Sequence, residues 1–444
     1  MPVDGEAEDM PADGEAVSRI LAAREPIGWR LGLERMRRLC SLLGMPQQRF
    51  GSIHVVGTNG KTSVARMTMA LLEAHGVAAG AYVSPHILSW RERILIRGEP
   101  VSEDAFVSAL ERAEASAQVA DRSAGEEGPV TQFELLTAAA FLAFAEARVK
   151  VAVIEAGLGG RLDATNVIPS KLTVLTSVGL DHTEWLGDTL EEIAAEKLAV
   201  LRDHTALIAG DVPEEVAPMI AREAKRRHVE PEYAIGGPGF PKQNAFLAMR
   251  AAASILGGER RDPEAAMAMG EALAPIPGRA ELVPGDPPLI FDVAHNPDGA
   301  RALAELLPGK GAGALDFLRA MSQRIVRKSP DDARGVVCCL AVLAEKDAKG
   351  IVEALAPVCS HFVCTQIPEE AIRGSGRPVG ESHPAQALAE LCRGAGAEAE
   401  AVADPLQAWV RARELARERG GAALAAGSHY LLSCIWTERP APSS

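Results

Sequence analysis

The stretch His54-Val55-Val56-Gly57-Thr58-Asn59-Gly60-Lys61-Thr62-Ser63 decides how the chain is read. A short β-branched strand enters a Gly-bounded loop, and a lysine then opens a helix that continues through Val64-Ala65-Arg66-Met67. That order suits a triphosphate. Loop amides freed by glycine face phosphate oxygens, the helix N-terminus adds partial positive charge, and Lys61 reaches the outer phosphates. Gly57, Thr58, Asn59 and Gly60 supply the loop, and the Thr62 hydroxyl stands where Mg²⁺ is often held. The loop is shorter than the usual Walker form, which would want its first glycine at Val55. A strand–turn–helix corner without function also needs glycines, but it does not need Lys-Thr directly after the second one.

Composition sets the bounds around this motif. At 444 residues the length suggests two or three domains with ample core. A 47% hydrophobic and 24% charged composition is ordinary for a globular enzyme. The formal net charge of −14 argues against nucleic acid and anionic membranes as partners. Seven cysteines without CxxC spacing fit a reducing cytoplasm rather than a disulfide framework. Cys338-Cys339 sit in the apolar run Val336–Leu340, which reads as a buried strand rather than a metal site. The first 17 residues are acidic, with Gly and Pro, the reverse of a signal peptide, and read as a disordered tail. The longest apolar stretch, Leu135 to Ala145, is too short to span a bilayer.

Strand-like and helix-like segments alternate through the first two-thirds. Strands are expected at Ile53–Val56, Ala78–Val83, Val151–Glu155 and Leu172–Val178, with helices at Thr62–His75, Glu103–Val119, Gln132–Glu146 and Leu190–Leu201. This predicts an α/β fold whose mostly parallel sheet is covered by helices, with ligands beyond the carboxyl ends of the strands. The Pro/Gly-rich run near 278–288 reads as a hinge. It divides a nucleotide-binding domain (18–277) from a smaller Rossmann-like α/β domain (289–444) with strands at Leu289–Val293, Val336–Leu343 and Ser360–Thr365. Gly309–Asp332 reads as a helix within a surface insertion.

Polar clusters fall where strands end. Ser84 follows the second strand, and a hydroxyl there either ligates Mg²⁺ or caps the next segment. Glu155 closes the buried run Val151–Ile154, and a buried carboxylate calls for a cation. A dinucleotide fingerprint beginning at Gly157 and Gly159 fails, because its third glycine would be Leu162. Asp181-His182 follows a fourth strand, Lys197 lies among acids on a helix, and Asp292-Val293-Ala294-His295-Asn296-Pro297 repeats the strand-then-polar pattern. Asp292 suits ribose hydroxyls, and His295 or Asn296 a polar substrate.

Together these motifs resemble the folylpolyglutamate synthase/dihydrofolate synthase family of the Mur-ligase superfamily. The carriers are GTNGKTS (Gly57–Ser63), SPH (Ser84–His86), TQFE (Thr131–Glu134), EAGLGGRLDATN (Glu155–Asn166), LDHTEWLG (Leu180–Gly187), PGR (Pro277–Arg279), DVAHNP (Asp292–Pro297) and GSHY (Gly427–Tyr430). The resemblance implies a P-loop domain of the Mur-ligase central type and an ATP-dependent amide ligase joining L-glutamate to dihydropteroate or a reduced folate through an acyl phosphate. It assigns Gly57 to Thr62 to ATP, with Asn244, Arg279 and Asp292 also on the nucleotide, and Ser84, Glu155 and His182 to two Mg²⁺ ions. Thr131, Phe133, Glu134, Leu162, Asp163 and Ala164 match the pterin side, and His295 the glutamate side. Lys61 and Lys197 match catalytic lysines, Lys197 as a carbamate formed with CO₂. The family often has glycine after the loop lysine, where this chain has Thr62, and an aromatic where it has Gln132. A cytoplasmic monomer acting on small molecules is expected. A related ligase for a different carboxylate, and a nucleotide-binding regulator without turnover, stand as the alternatives.

Overall fold

The computed structural model describes residues 14–235, 239–257, 276–307, 336–372 and 380–439. They fall into two compact units, one within 14–86 and 90–257, the other within 87–89 and 276–439.

The first unit is built on an eight-stranded sheet. Its strands are β1 (Gly51–Val56), β2 (Ala79–Tyr82), β3 (Ile94–Ile96), β4 (Glu99–Pro100), β5 (Val151–Glu155), β6 (Leu172–Leu175), β7 (Ala206–Ala209) and β8 (Pro231–Tyr233), in the order β4-β3-β2-β5-β1-β6-β7-β8. In the order β2-β5-β1-β6-β7-β8 every neighbour is parallel, while β3 pairs antiparallel with both β2 and β4. The chain therefore leaves β2, β5, β1 and β6 at one end of the sheet, side by side. Parallel strands buried on both faces read as continuous apolar runs, and Ile53, Val55 and Val56 of β1 are inaccessible to solvent.

Helices of this unit are α1 (Glu15–Arg24), α2 (Glu34–Leu42), α3 (Lys61–Ala74), α4 (Glu103–Asp121), α5 (Gln132–Glu146), α6 (Thr183–Leu186), α7 (Leu190–Leu198), α8 (Ala217–Arg226) and α9 (Phe240–Leu256). Capping boxes start α5 (Thr131 with Glu134) and α7 (Thr189 with Glu192), each satisfying two amides that have no partner inside the helix. The apolar run Leu135–Ala145 forms the interior of α5, buried against the small residues Ala113, Ala117 and Ala120 of α4 in one core cluster. Among the described residues no helix is long and apolar enough to cross a membrane.

The second unit has six strands, β9 (Glu281–Val283), β10 (Leu289–Phe291), β11 (Val336–Leu340), β12 (Cys359–Cys364), β13 (Glu398–Ala401) and β14 (Ala422–Ala426), ordered β13-β12-β11-β14-β10-β9. All pair in parallel except β9. Cys338 and Cys339 point to opposite faces of β11 and both are buried, so strand packing accounts for them. Helix α10 (Pro297–Leu306) follows β10.

Three expectations need adjusting. The acidic tail ends earlier than residue 17, because Glu15, Ala16 and Val17 already form the first turn of α1, with Val17 buried. The run read as a hinge contributes β9, which pairs antiparallel with β10. The strand from Leu172 stops at Leu175, since Thr176 and Ser177 turn toward the loop after β1. Gly309–Asp332 lies outside the described residues.

Candidate active site

The phosphate loop turns left-handed at Gly60 (φ +84°) before α3 begins. A Cβ there would stand 2.5 Å from Asn244 Oδ1 on α9, so close approach and backbone angle both require glycine. Asn244 is 5% exposed, and its Nδ2 is a buried donor with no hydrogen-bond partner. An unmet buried donor beside a glycine loop is costly, and a ligand acceptor relieves the cost. This orphaned amide fits a nucleotide.

The loop is clamped from the next strand. Thr58 N donates to Ser177 O (2.9 Å), and Thr58 Oγ1 bridges to Gly179, donating to its carbonyl or accepting from its amide. Asn59 N donates to Ser177 Oγ (2.9 Å), while Thr176 Oγ1 donates to Asn59 O (2.6 Å). Two loop amides expected to face phosphate are thus engaged by Ser177. The positive end of the α3 dipole lies at Lys61, directly after this loop. Sequence reading missed Thr176, Ser177 and Gly179. Their only signal was a polar run directly after an apolar strand adjoining β1.

Two lysines converge on one carbonyl. Lys61 Nζ donates to Gly57 O (3.0 Å) and Thr58 O (3.1 Å), and Lys197 Nζ, carried by α7, donates to Gly57 O (3.1 Å). Lys197 is 3% exposed. Burial first, then the charge of Lys61, lower its pKa from 10.5 to about 7, against the opposing pull of Asp181 and Glu196. Near neutral pH about half of this amine carries no proton. Lys197 is on the buried side of α7, among the residues that pack into the fold.

Glu155, at the end of β5, gathers the neighbouring strand ends. Its Oε1 accepts from Thr62 Oγ1 (3.1 Å) and its Oε2 from Ser84 N (3.1 Å), and Thr62 Oγ1 also lies 3.4 Å from Ser84 O. The buried carboxylate, two hydroxyl-bearing residues and the helix turn form one oxygen-rich corner. Among the described residues no three His, Cys, Asp or Glu side chains group closely enough to hold a metal alone. The donor set still fits Mg²⁺, which binds through one or two carboxylates and completes its shell with water and phosphate oxygens.

His182 caps α6 in the left-handed region (φ +53°), a conformation that costs energy in a non-glycine residue. Its amide donates to Asp181 Oδ1 (3.0 Å), and its ring stands 6.0 Å from that of Trp29, which also meets Trp185 at 5.8 Å. Contacts thus join Ser84 to Glu155 directly, whereas His182 is organised by Asp181 and Trp29.

The residues matched to a pterin divide similarly. Phe133 and Asp163 meet around Gly157, where a Cβ would lie 2.5 Å from Phe133 Cζ and 3.1 Å from Asp163 Oδ2. Leu162 is exposed and Ala164 buried beside them. Thr131 and Glu134 work locally: they form the α5 capping box, and Glu134 also binds buried Arg35 through Nε at 3.0 and 3.1 Å. In the second unit, Asp292 accepts from Ala280 N (2.6 Å) and Ala294 N (2.7 Å). Burial raises its pKa against the charge of Arg279. His295 Nδ1 donates to Val293 O (3.1 Å), and Asn296 caps α10.

Comparison with known proteins shows the family and the fold. Residues 55–236 fit the Mur ligase middle domain. The chain is 36% identical, over 75% of its length and 74% of the relative's, to the dihydrofolate synthase/folylpolyglutamate synthase of Mycobacterium tuberculosis. The chain belongs to the folylpolyglutamate synthase/dihydrofolate synthase family. Members of this family are ATP-dependent ligases, and this chain is one of them. Its fold superposes on M. tuberculosis folylpolyglutamate synthase complexed with ADP (TM-score 0.80, 29% identity, covering 97% of this chain and 100% of that one). It also superposes on Escherichia coli FolC in complex with DHPP and ADP (TM-score 0.76, 26% identity, 96% and 98% covered). A third match is a bifunctional folylpolyglutamate synthase/dihydrofolate synthase with Mn, AMPPNP and L-glutamate bound (TM-score 0.76, 26% identity, 96% and 99% covered).

Proposed function

We propose that this ligase attaches L-glutamate to dihydropteroate, to reduced folates, or to both. The acceptor carboxylate attacks the γ-phosphate, ADP leaves, and the amine of glutamate then displaces phosphate from the acyl phosphate. The observation that carries this reading is the convergence of Lys61, Lys197 and the Glu155–Ser84–Thr62 corner on the ends of adjacent parallel strands.

Lys61 and the first turn of α3 hold the phosphates, with the Asn244 amide as a further donor. Ser84, Glu155 and His182 hold the divalent ions, which neutralise phosphate charge when bound. Phe133 and Asp163 receive the pterin, Arg279 and Asp292 the nucleotide, and His295 the glutamate. Lys197 serves as a carbamate: its neutral amine adds CO₂, releases a proton and becomes an anion able to hold a metal. The pKa of about 7 supports this, because addition needs an unprotonated amine. The free thiols Cys40, Cys338, Cys339, Cys359, Cys364, Cys392 and Cys434 suit the cytoplasm. We place the enzyme there as a monomer.

Purified enzyme given ATP, Mg²⁺, L-glutamate and either dihydropteroate or tetrahydrofolate should release phosphate and yield the glutamyl product by mass spectrometry. Silence with both acceptors would overturn the reading.

A further inference from the structure

Asp163 is held from behind by a residue the reaction has not used. His54, in the middle of β1, is inaccessible to solvent, and its Nε2 lies 2.9 Å from Thr165 Oγ1. Thr165 Oγ1 in turn bonds Asp163 Oδ1, which also accepts from Thr165 N (3.0 Å). Asp163 Oδ2 accepts from Leu158 N (2.8 Å) and faces the corner of Gly157 and Phe133.

Proton accounting fixes the direction of this chain. A threonine hydroxyl has one proton. If Thr165 gives it to the Asp163 carboxylate, it must accept from His54, so Nε2 carries the imidazole hydrogen and Nδ1 is a bare acceptor. His54 Nδ1 is indeed buried without a partner. The opposite order would place an N–H at that position, leaving a buried donor unmet and requiring a protonated Asp163. Burial holds the His54 pKa down at about 3, so the ring is neutral at working pH. The Thr165 hydroxyl and the amides of Thr165 and Leu158 hold three of the carboxylate's about four acceptor sites. Burial raises the Asp163 pKa, and the bonds from the Thr165 hydroxyl and from the amides of Leu158, Thr165 and Gly157 oppose that rise.

We propose that His54 and Thr165 are positioning residues for acceptor binding, a buried imidazole–hydroxyl relay that aims the Asp163 carboxylate at the pterin. The proposal rests on the reading of Asp163 as a pterin contact. A merely structural stitch between β1 and the loop after β5 would disturb all three substrates alike. A positioning relay disturbs one.

The test is steady-state kinetics with dihydropteroate, ATP and L-glutamate varied in turn. Thr165→Val and His54→Leu should each raise the KM for dihydropteroate about tenfold, the loss expected for one buried hydrogen bond to a charged group. The KM values for ATP and glutamate should stay within about twofold, and Thr165→Ser should restore wild-type behaviour. In the unaltered enzyme, ¹⁵N chemical shifts of His54 should show the neutral Nε2–H tautomer. An Nδ1–H tautomer, unchanged dihydropteroate KM in both variants, or a parallel rise for all three substrates would overturn the relay. Asp163→Ala separates the two levels. If it leaves the dihydropteroate KM unchanged, the pterin reading fails; if it raises that KM while the Thr165 and His54 variants do not, the relay alone fails.

Discussion

Beyond β1, two lysines share the carbonyl of Gly57, and the Asn244 amide beside them has no acceptor. Beyond β10, the polar cluster engages its own backbone: Asp292 accepts from the amides of Ala280 and Ala294, His295 Nδ1 donates to Val293 O, and Asn296 caps α10. Both clusters sit past the carboxyl ends of parallel strands, where ligands collect in such sheets. The first keeps repulsion and an unmet donor, which an anion resolves. The second already uses Asp292, His295 and Asn296 to brace the backbone around it.

Four substitutions press on this contrast. Lys61→Ala removes the cation proposed to hold the phosphates and should lower kcat/KM by roughly a thousandfold, with the far-ultraviolet spectrum and melting temperature retained; a loss under tenfold would mean the first cluster does not act through charge. Lys197→Met should cost at least about a hundredfold in kcat while raising the melting temperature. The sign follows from its pKa of about 7 in the fold against 10.5 for an ordinary lysine, because the unfolded chain binds that proton more tightly. The cost of burial is full at pH 7 and below, shrinks as pH rises, and vanishes near 10.5. Melting curves in CO₂-free buffer should therefore show the largest gain at pH 6 to 7 and almost none at pH 10.

In the second cluster a stability effect joins the effect on turnover. Asp292→Ala leaves the amides of Ala280 and Ala294 unmet and should destabilise by about 1–3 kcal/mol in urea titrations while raising the KM for ATP. An unchanged midpoint would show that Asp292 does not brace this strand end. Asn296→Ala should cost only about 1 kcal/mol, the loss of a helix cap, with kcat within twofold. A larger fall in kcat would move Asn296 out of the framework and into the reaction.

Local chemistry was readable before any coordinates. Strand, glycine turn and lysine at 51–61 announce a phosphate loop because each step has its own backbone and charge requirement. Glu155 announced itself as a carboxylate ending an apolar strand. Long-range partners left no such mark. Nothing near Thr176 or Ser177 says that they hold Thr58 and Asn59, because that contact depends on β6 lying beside β1. Glu134 looked like a substrate residue, yet Arg35, 99 positions away, and its own helix cap employ it. His54 read as one more strand residue, since its partner Thr165 arrives through the fold.

The carbonyl of Gly57 has one further consequence. It holds the Lys61 ammonium at rest, with the Lys197 amine beside it, so an incoming triphosphate takes over a cation already placed at the loop. Binding then becomes a change of counterion for Lys61, from a neutral oxygen to an anionic one, rather than the ordering of a mobile side chain. Much of the entropy of placing that charge is spent when the chain folds, before any nucleotide arrives.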